Sequence, residues 1–349
     1  MLDLLEKRPK IRTLLPIWDN IPYNPCMELY ITHDSALEYW RRQGKKRDKD
    51  MRRQRNARIP AVTPNAQLLQ QASAVGLSRP LDILVTTLEA RRPSSRIRPH
   101  VFGGVLPDNS VISLGSGLFV SSPELCFFQM ASKLTLVELI ELGYELCGSF
   151  ARPALTVNPK KEKSEADEEC LYNLPELTNV KKLTAYVERM KGVNGYGRAS
   201  KALHFIADDS GSPMEAVLTM LLTLPYRYGG YGLPMPKLNY RIILDKVAQR
   251  SANKSYLKCD LFWPLENLAV EYDSEKHHAL KQKIAEDAVR RNTLSSLGIP
   301  PIIVTKQQLY SAFKLEMVAL QLSRKLGKQL KHKKPGFYKA RSLLREALL

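Results

Sequence analysis

The chain has 349 residues, 44% of them hydrophobic and 25% charged, the composition of a folded protein large enough for two domains. It carries 53 Lys and Arg against 35 Asp and Glu, a net charge of +18, so the expected partner is a polyanion, nucleic acid before an anionic membrane. No apolar run reaches the roughly 18 residues of a membrane span, the N-terminus does not read as a cleavable signal, and Cys26, Cys126, Cys147, Cys170 and Cys259 form no CxxC pair, which argues for reduced thiols in a cytoplasm and against a disulfide framework or a zinc site.

Residues 1–27 contain Pro9, Pro16, Pro22 and Pro25, which break any long element and suggest a surface arm. A helix is expected over 35–42 (SALEYWRR), and a basic run follows that includes Arg41, Arg42, Lys45, Lys46, Arg52 and Arg53. Two readings stay open for it: a solvated charge run, or an element that contacts phosphates and adds salt-dependent, sequence-independent affinity. Residues 81–87 (LDILVTT) read as a strand, and Arg91, Arg92, Arg96 and Arg98 form a second basic cluster in a Pro/Ser-rich loop. Residues 111–120 read as a strand with a bend or bulge at Gly115 and Gly117. Ser122-Pro123-Glu124 starts a helix, and a second is expected over 136–146. This half shows no catalytic constellation.

Residues 160–169 (KKEKSEADEE) are a charged linker by composition, followed by a short helix over 181–191. A further helix is expected over 199–206. In DDSGSPMEAVLTMLLTLP, Ser212 suits the N-cap, Pro213 the first position and Glu215 the third, so Glu215 reads locally as half of a capping box. Tyr226, Arg227, Tyr228 and Tyr231 then fall in a Gly/Pro-rich loop, either a stacking platform for unpaired bases or a packed turn. Strands are expected over 240–244, 258–263 and 268–273, a helix over 279–297 and a last strand over 302–305.

Residues 258–273 (KCDLFWPLENLAVEYD) organise the second half. Pro264-Leu265-Glu266-Asn267 reads as a four-residue hairpin loop. Counting outward from Trp263 and Leu268 sets Asp260 opposite Glu271, on one face and roughly 4.5–5.5 Å apart at Cβ. Two carboxylates at that spacing repel unless a cation lies between them, and a divalent ion held by oxygens fits.

These residues resemble the PD-(D/E)XK nuclease superfamily, in its very-short-patch-repair-like branch: Asp260-Leu261-Phe262-Trp263-Pro264, then Val270-Glu271-Tyr272-Asp273, the pair His277 and His278, and Asp287, Arg290, Leu294 and Gly298 on the next helix. The likeness covers about residues 212–305. Asp273 stands where the superfamily has its lysine, a replacement the branch shares, and Ser274 stands where the branch has glycine. A weaker likeness links the N-terminal half to abortive-infection antitoxins of the AbiEi type.

The resemblance implies a mixed α/β protein with a restriction-endonuclease-like α-βββ-α-β core over 199–310. The residue patterns outside that core set a separate α+β domain at 1–150, a charged linker and short helix at 151–198 and a basic helical tail at 311–349. The resemblance implies a Mg²⁺- or Mn²⁺-dependent endonuclease acting on DNA, and the N-terminal likeness implies a setting of bacterial defence. Asp260, Glu271 and Glu215 would hold the metal, with Asp273, His277, His278 and Arg290 completing the site. The alternative is a non-catalytic, antitoxin-like nucleic-acid-binding regulator that keeps the fold, and an oligomer or protein partner is compatible with either.

Overall fold

The computed structural model describes residues 28–46, 53–54, 57–61, 64–153, 170–273, 281–331 and 335–349, and for 281–285 the backbone. Its mixed α/β architecture rests on two larger sheets and a two-stranded pair. The first contains β1 (Leu29–Ile31), β2 (Arg53–Gln54), β3 (Leu81–Val85), β4 (Ile97–Val101), β5 (Val111–Gly115) and β6 (Leu118–Ser121), in the order β2-β5-β6-β1-β3-β4. β3, reading LDILV, is buried along its whole length, as an apolar strand covered on both faces must be. The stretch 111–120 is two strands rather than one. Gly115, Ser116 and Gly117 all take positive φ, and three consecutive left-handed residues reverse the chain into an antiparallel hairpin.

Helix Pro123–Met130 starts as its sequence predicts, with Ser122 Oγ accepting the Leu125 N–H at 3.2 Å. Helix Leu136–Cys147 opens on a Thr135/Glu138 capping box and packs against helices Tyr196–Leu203, Pro213–Thr223 and Phe337–Leu348. One apolar cluster therefore runs from Leu29 through Phe127 and Leu139 to Leu218, Leu261 and Leu348, without a seam near residue 150. Buried Leu and Phe side chains contribute about 1.5–3 kcal/mol each, so this shared core ties the halves together. Helix Val180–Arg189, expected over 181–191, buries Leu183, Tyr186 and Val187 in the same cluster, so this part of the linker segment belongs to the shared core. The acidic run 160–169 lies outside the described residues, between β7 (Phe150–Ala151) and β8 (Leu171–Tyr172), which pair antiparallel.

The second sheet has the order β12-β11-β10-β9, from β9 (Lys237–Ile243), β10 (Tyr256–Trp263), β11 (Leu268–Asp273) and β12 (Ile302–Thr305). β9, β10 and β11 are antiparallel, and β12 returns parallel to β11 after helix Lys281–Ser296. With helix Pro213–Thr223 in front, the order is helix, three antiparallel strands, helix, parallel strand. A short helix, Lys246–Ala252, joins β9 to β10; Asp245 caps it by accepting the Val247 and Ala248 N–H groups. Leu261 and Val270 face the main core, while Cys259, Phe262 and Ala269 join Leu294 and Ile299 in a smaller cluster beneath helix Lys281–Ser296.

The basic tail packs inward. Phe337, Leu344 and Leu348 are buried. Arg341 donates to Glu316 Oε2 at 2.5 Å and to Tyr231 OH, and Arg345 donates to the Leu309 and Tyr310 carbonyls. Tyr231 is buried against Phe337, their ring centroids 5.7 Å apart, so this tyrosine anchors the tail. Among the described residues, no helix is long and apolar enough to cross a membrane.

Candidate active site

The β10–β11 hairpin sets the geometry. Its loop is Pro264–Asn267, and the pairs Trp263↔Leu268, Phe262↔Ala269 and Leu261↔Val270 follow the register expected from the sequence. Asn267 sits at φ 47°, a conformation asparagine tolerates. Trp263 Nε1–H donates to the Pro234 carbonyl at 2.9 Å and pins the strand end. One step past Leu261↔Val270, a side chain takes the place of a strand carbonyl: the Tyr272 N–H donates to Asp260 Oδ2 at 2.8 Å. That bond holds Asp260 against β11 beside Glu271, which is buried.

Glu215 arrives from the opposite side on helix Pro213–Thr223. Ser212 Oγ accepts the Glu215 N–H at 3.2 Å, as an N-cap should. The Glu215 carboxylate reaches past a capping box. It accepts the Gly211 N–H at 2.8 Å, the Ser212 hydroxyl at 3.0 Å and Asn239 Nδ2–H at 2.6 Å. A Cβ on residue 211 would lie 3.0 Å from Glu215 Oε1 and Asn239 Nδ2, so the small residue there lets both side chains close in without shifting. Asn239, at φ 45°, also donates to the Asp209 carbonyl at 2.9 Å, tying β9 to this loop.

On the other side, Arg290 from helix Lys281–Ser296 grips Glu271 with both arms, NH1 to Oε2 at 2.7 Å and NH2 to Oε1 at 2.9 Å. It also donates to the Lys258 carbonyl. Burial, and then repulsion by Asp260, push the Glu271 carboxyl up to about 8 in spite of that fork. Burial and the charge of Asp260 likewise raise Glu215, and burial raises Asp260. Asp260 is thus the carboxylate common to both neighbours. Cys259, beside Glu271, is pushed up to about 12 by burial first and Glu271 second, so it is a neutral thiol.

Asp273 ends β11, half-buried and paired in register with Thr305. His277 and His278 lie outside the described residues, as does Arg52. The structure divides the predicted phosphate contacts. Arg41 is nearly buried in a two-point fork on Glu145, at 2.8 and 2.7 Å. Arg53 holds Glu124 at 2.9 Å, Arg42 holds Glu38, and Arg98 lies 3.4 Å from Asp82. Lys45, Lys46, Arg91, Arg92 and Arg96 are exposed.

Sequence reasoning missed the wall beside the site. A cavity of about 900 Å³ is lined by Lys237, Asn239, Arg241 and Lys258 on the strand side and by Glu176, Asp208 and Asp209 across from them. Arg241 pairs in register with Lys258 and lies over the Tyr256 ring at 4.9 Å. The alternation of basic residues along 237–241 with Lys258 is a signal, but only the strand pairing puts them on one wall.

A divalent cation suits this donor set in kind: Asp260 adds negative charge beside both Glu215 and Glu271, Arg290 is forked onto Glu271 alone, and hard cations take carboxylate oxygens. Among the described residues, no three His, Cys, Asp or Glu side chains are grouped to hold one ion, and both Glu271 oxygens are engaged by Arg290. Loading would therefore require Glu271 to leave Arg290. No family model, curated protein or solved structure matches the chain.

Proposed function

We propose that the protein is a Mg²⁺- or Mn²⁺-dependent endonuclease that hydrolyses phosphodiester bonds in DNA. The observation that carries this is the row Glu215–Asp260–Glu271: Glu215 and Glu271 are buried, Asp260 lies between their charges, and Arg290 forks onto Glu271 while Glu215 is held by Gly211, Ser212 and Asn239. Buried acidic groups short of positive charge are costly unless a cation joins them. The order of helix, three antiparallel strands, helix and parallel strand, with the short helix Lys246–Ala252 inserted between the first two strands, supports the same reading as the sequence resemblance.

Asp260 and Glu271 would hold the metal, with Glu215 behind them. When bound, the metal polarises the scissile phosphate and lowers the pKa of a coordinated water. Glu215, raised toward neutral pH, holds or accepts a proton at its carboxylate. Arg290, released from Glu271, presents the planar fork that matches a phosphate. Lys237, Arg241 and Lys258 line the adjoining cavity and bind the strand through its backbone charge.

One observation favours a second reading, a non-catalytic nucleic-acid-binding regulator: Arg290 already neutralises Glu271 without an ion. Incubation of supercoiled and single-stranded circular DNA with Mn²⁺ separates the two. The nuclease reading expects cleavage that disappears in Asp260→Asn. Binding without cleavage supports the regulator, and equal cleavage by Asp260→Asn removes the site.

A further inference from the structure

A second polar cluster lies in the other sheet. The pairing of β3 with β4 brings His100 to Asp82, with Nε2 and Oδ1 2.7 Å apart. Asp82 is buried and is also within hydrogen-bond reach of the Ser35 hydroxyl and Arg98. His33, from the strand end beside β3, stacks on His100 with ring centroids 3.7 Å apart and planes 16° from parallel. Its Nδ1 contacts Thr32 Oγ1 at 3.1 Å, and its backbone is held at φ 47°, a costly conformation for a non-glycine residue. His33 Nε2 and His100 Nδ1 have no hydrogen-bond partner among the described residues, and both rings line a cavity of about 340 Å³.

The rest of that cavity is of two kinds. Phe102, Leu106, Leu125, Phe128 and Met190 form an apolar wall. Gln129, Asn194 and Arg91 supply polar groups, with Arg91 and Asn194 exposed. Gln129 Oε1 already accepts from the His33 N–H and the Ser121 hydroxyl, which leaves its NH₂ end to donate. Burial and the neighbouring His100 push His33 down to about 3, so it stays uncharged and serves as a hydrogen-bonding edge. A closed core has no use for a buried aspartate, a strained histidine and two unpartnered ring nitrogens on an open cavity. The cavity's volume lies at the lower end of the about 300–1,000 Å³ of small-ligand sites, and apolar and polar groups converge on it in similar measure.

We propose that this cavity binds one nucleotide unit, with its base against the apolar wall, its polar edge on His33, His100 and Gln129, and its phosphate at Arg91. The base supplies a flat ring with donors and acceptors, and the phosphate supplies the anion for the cation at the mouth. The site is independent of the carboxylates in the second sheet.

Two-dimensional NMR or calorimetry on the full chain tests this with dAMP, inorganic phosphate and a short single-stranded oligonucleotide as separate probes. The expected result is saturable dAMP binding that shifts the His33 and His100 ring signals, with phosphate alone much weaker. Arg91→Ala should weaken it about tenfold or more, the loss of one charge-assisted hydrogen bond. Asn194→Trp, a change at the exposed mouth that leaves the core untouched, should block it. Competition by the oligonucleotide identifies the source as an unpaired base of a strand, and its absence identifies a free nucleotide; either supports the site. Undetectable dAMP binding overturns the proposal. So does phosphate binding as tight as dAMP, or dAMP binding unchanged in folded Arg91→Ala and Asn194→Trp.

Discussion

Arg290 and Glu271 are joined at two points across the Asp260 hairpin, at 2.7 and 2.9 Å, and that pairing sets the electrostatics of the candidate site. Without Arg290, Glu271 takes up a proton below about pH 8 and becomes an uncompensated buried charge only above it, where such a charge typically costs about 3–5 kcal/mol. Arg290→Gln is therefore expected to lower the thermal midpoint of the metal-free protein most at pH 9. Because Glu271 is then unopposed, Mn²⁺ should restore more of the midpoint in this variant than it adds to the wild type. Differential scanning fluorimetry with and without Mn²⁺ checks both.

Asp260→Asn should act in the reverse direction. The amide keeps an oxygen for the Tyr272 N–H and removes the charge that raises both Glu215 and Glu271. The metal-free variant is expected to be more stable than the wild type by about 1 kcal/mol at pH 8, while losing cleavage. Urea melts at that pH test the stability claim.

The raised carboxyls also fix a sign for pH. Glu271 ionises at about 4.3 when unfolded but at about 8 in the folded chain. The folded state therefore holds the extra proton between those values. Its contribution to stability is fully present below about 4.3 and is lost as pH rises through about 8. The stability difference between wild type and Glu271→Gln should shift against the wild type over that window, on the order of 5 kcal/mol in total, and metal should offset it most at the alkaline end. Matched denaturation series from pH 5 to pH 9 measure the difference.

Arginines that look alike in the sequence should behave differently. Arg41 is committed to buried Glu145, so Arg41→Ala is expected to cost about 3 kcal/mol of stability and to leave the salt dependence of DNA binding unchanged. The triple change Arg91→Ala, Arg92→Ala, Arg96→Ala should leave stability nearly unaltered and flatten the slope of log affinity against log salt. Fluorescence anisotropy at several salt concentrations separates the two groups.

The second sheet was legible because its information is local. Pro264–Asn267 gave the loop length, the apolar alternation gave the faces, and the pairs from Trp263↔Leu268 to Leu261↔Val270 followed by counting; the ladder ends there, and Asp260 meets β11 through its side chain on the Tyr272 N–H. Strands Leu268–Asp273 and Ile302–Thr305 have the bounds expected of them. What escaped depends on long-range pairing. Arg41 meets Glu145, and Arg53 meets Glu124, across distances in sequence that no periodicity reports. The cluster of His33, Asp82 and His100 needs the β1–β3–β4 order, and its one local hint is an aspartate inside the apolar strand LDILV. Glu215 shows the limit from the other side. Its capping position was legible, but its second role beside Asp260 requires Asn239 and Gly211 to close around it.

A manganese soak, located by anomalous diffraction, tests the central claim most directly. The account predicts a peak within coordination distance of Asp260 and Glu271, with the Arg290 guanidinium moved off Glu271. An empty site with the Arg290–Glu271 fork intact, at a Mn²⁺ concentration that saturates any cleavage observed in solution, would contradict it.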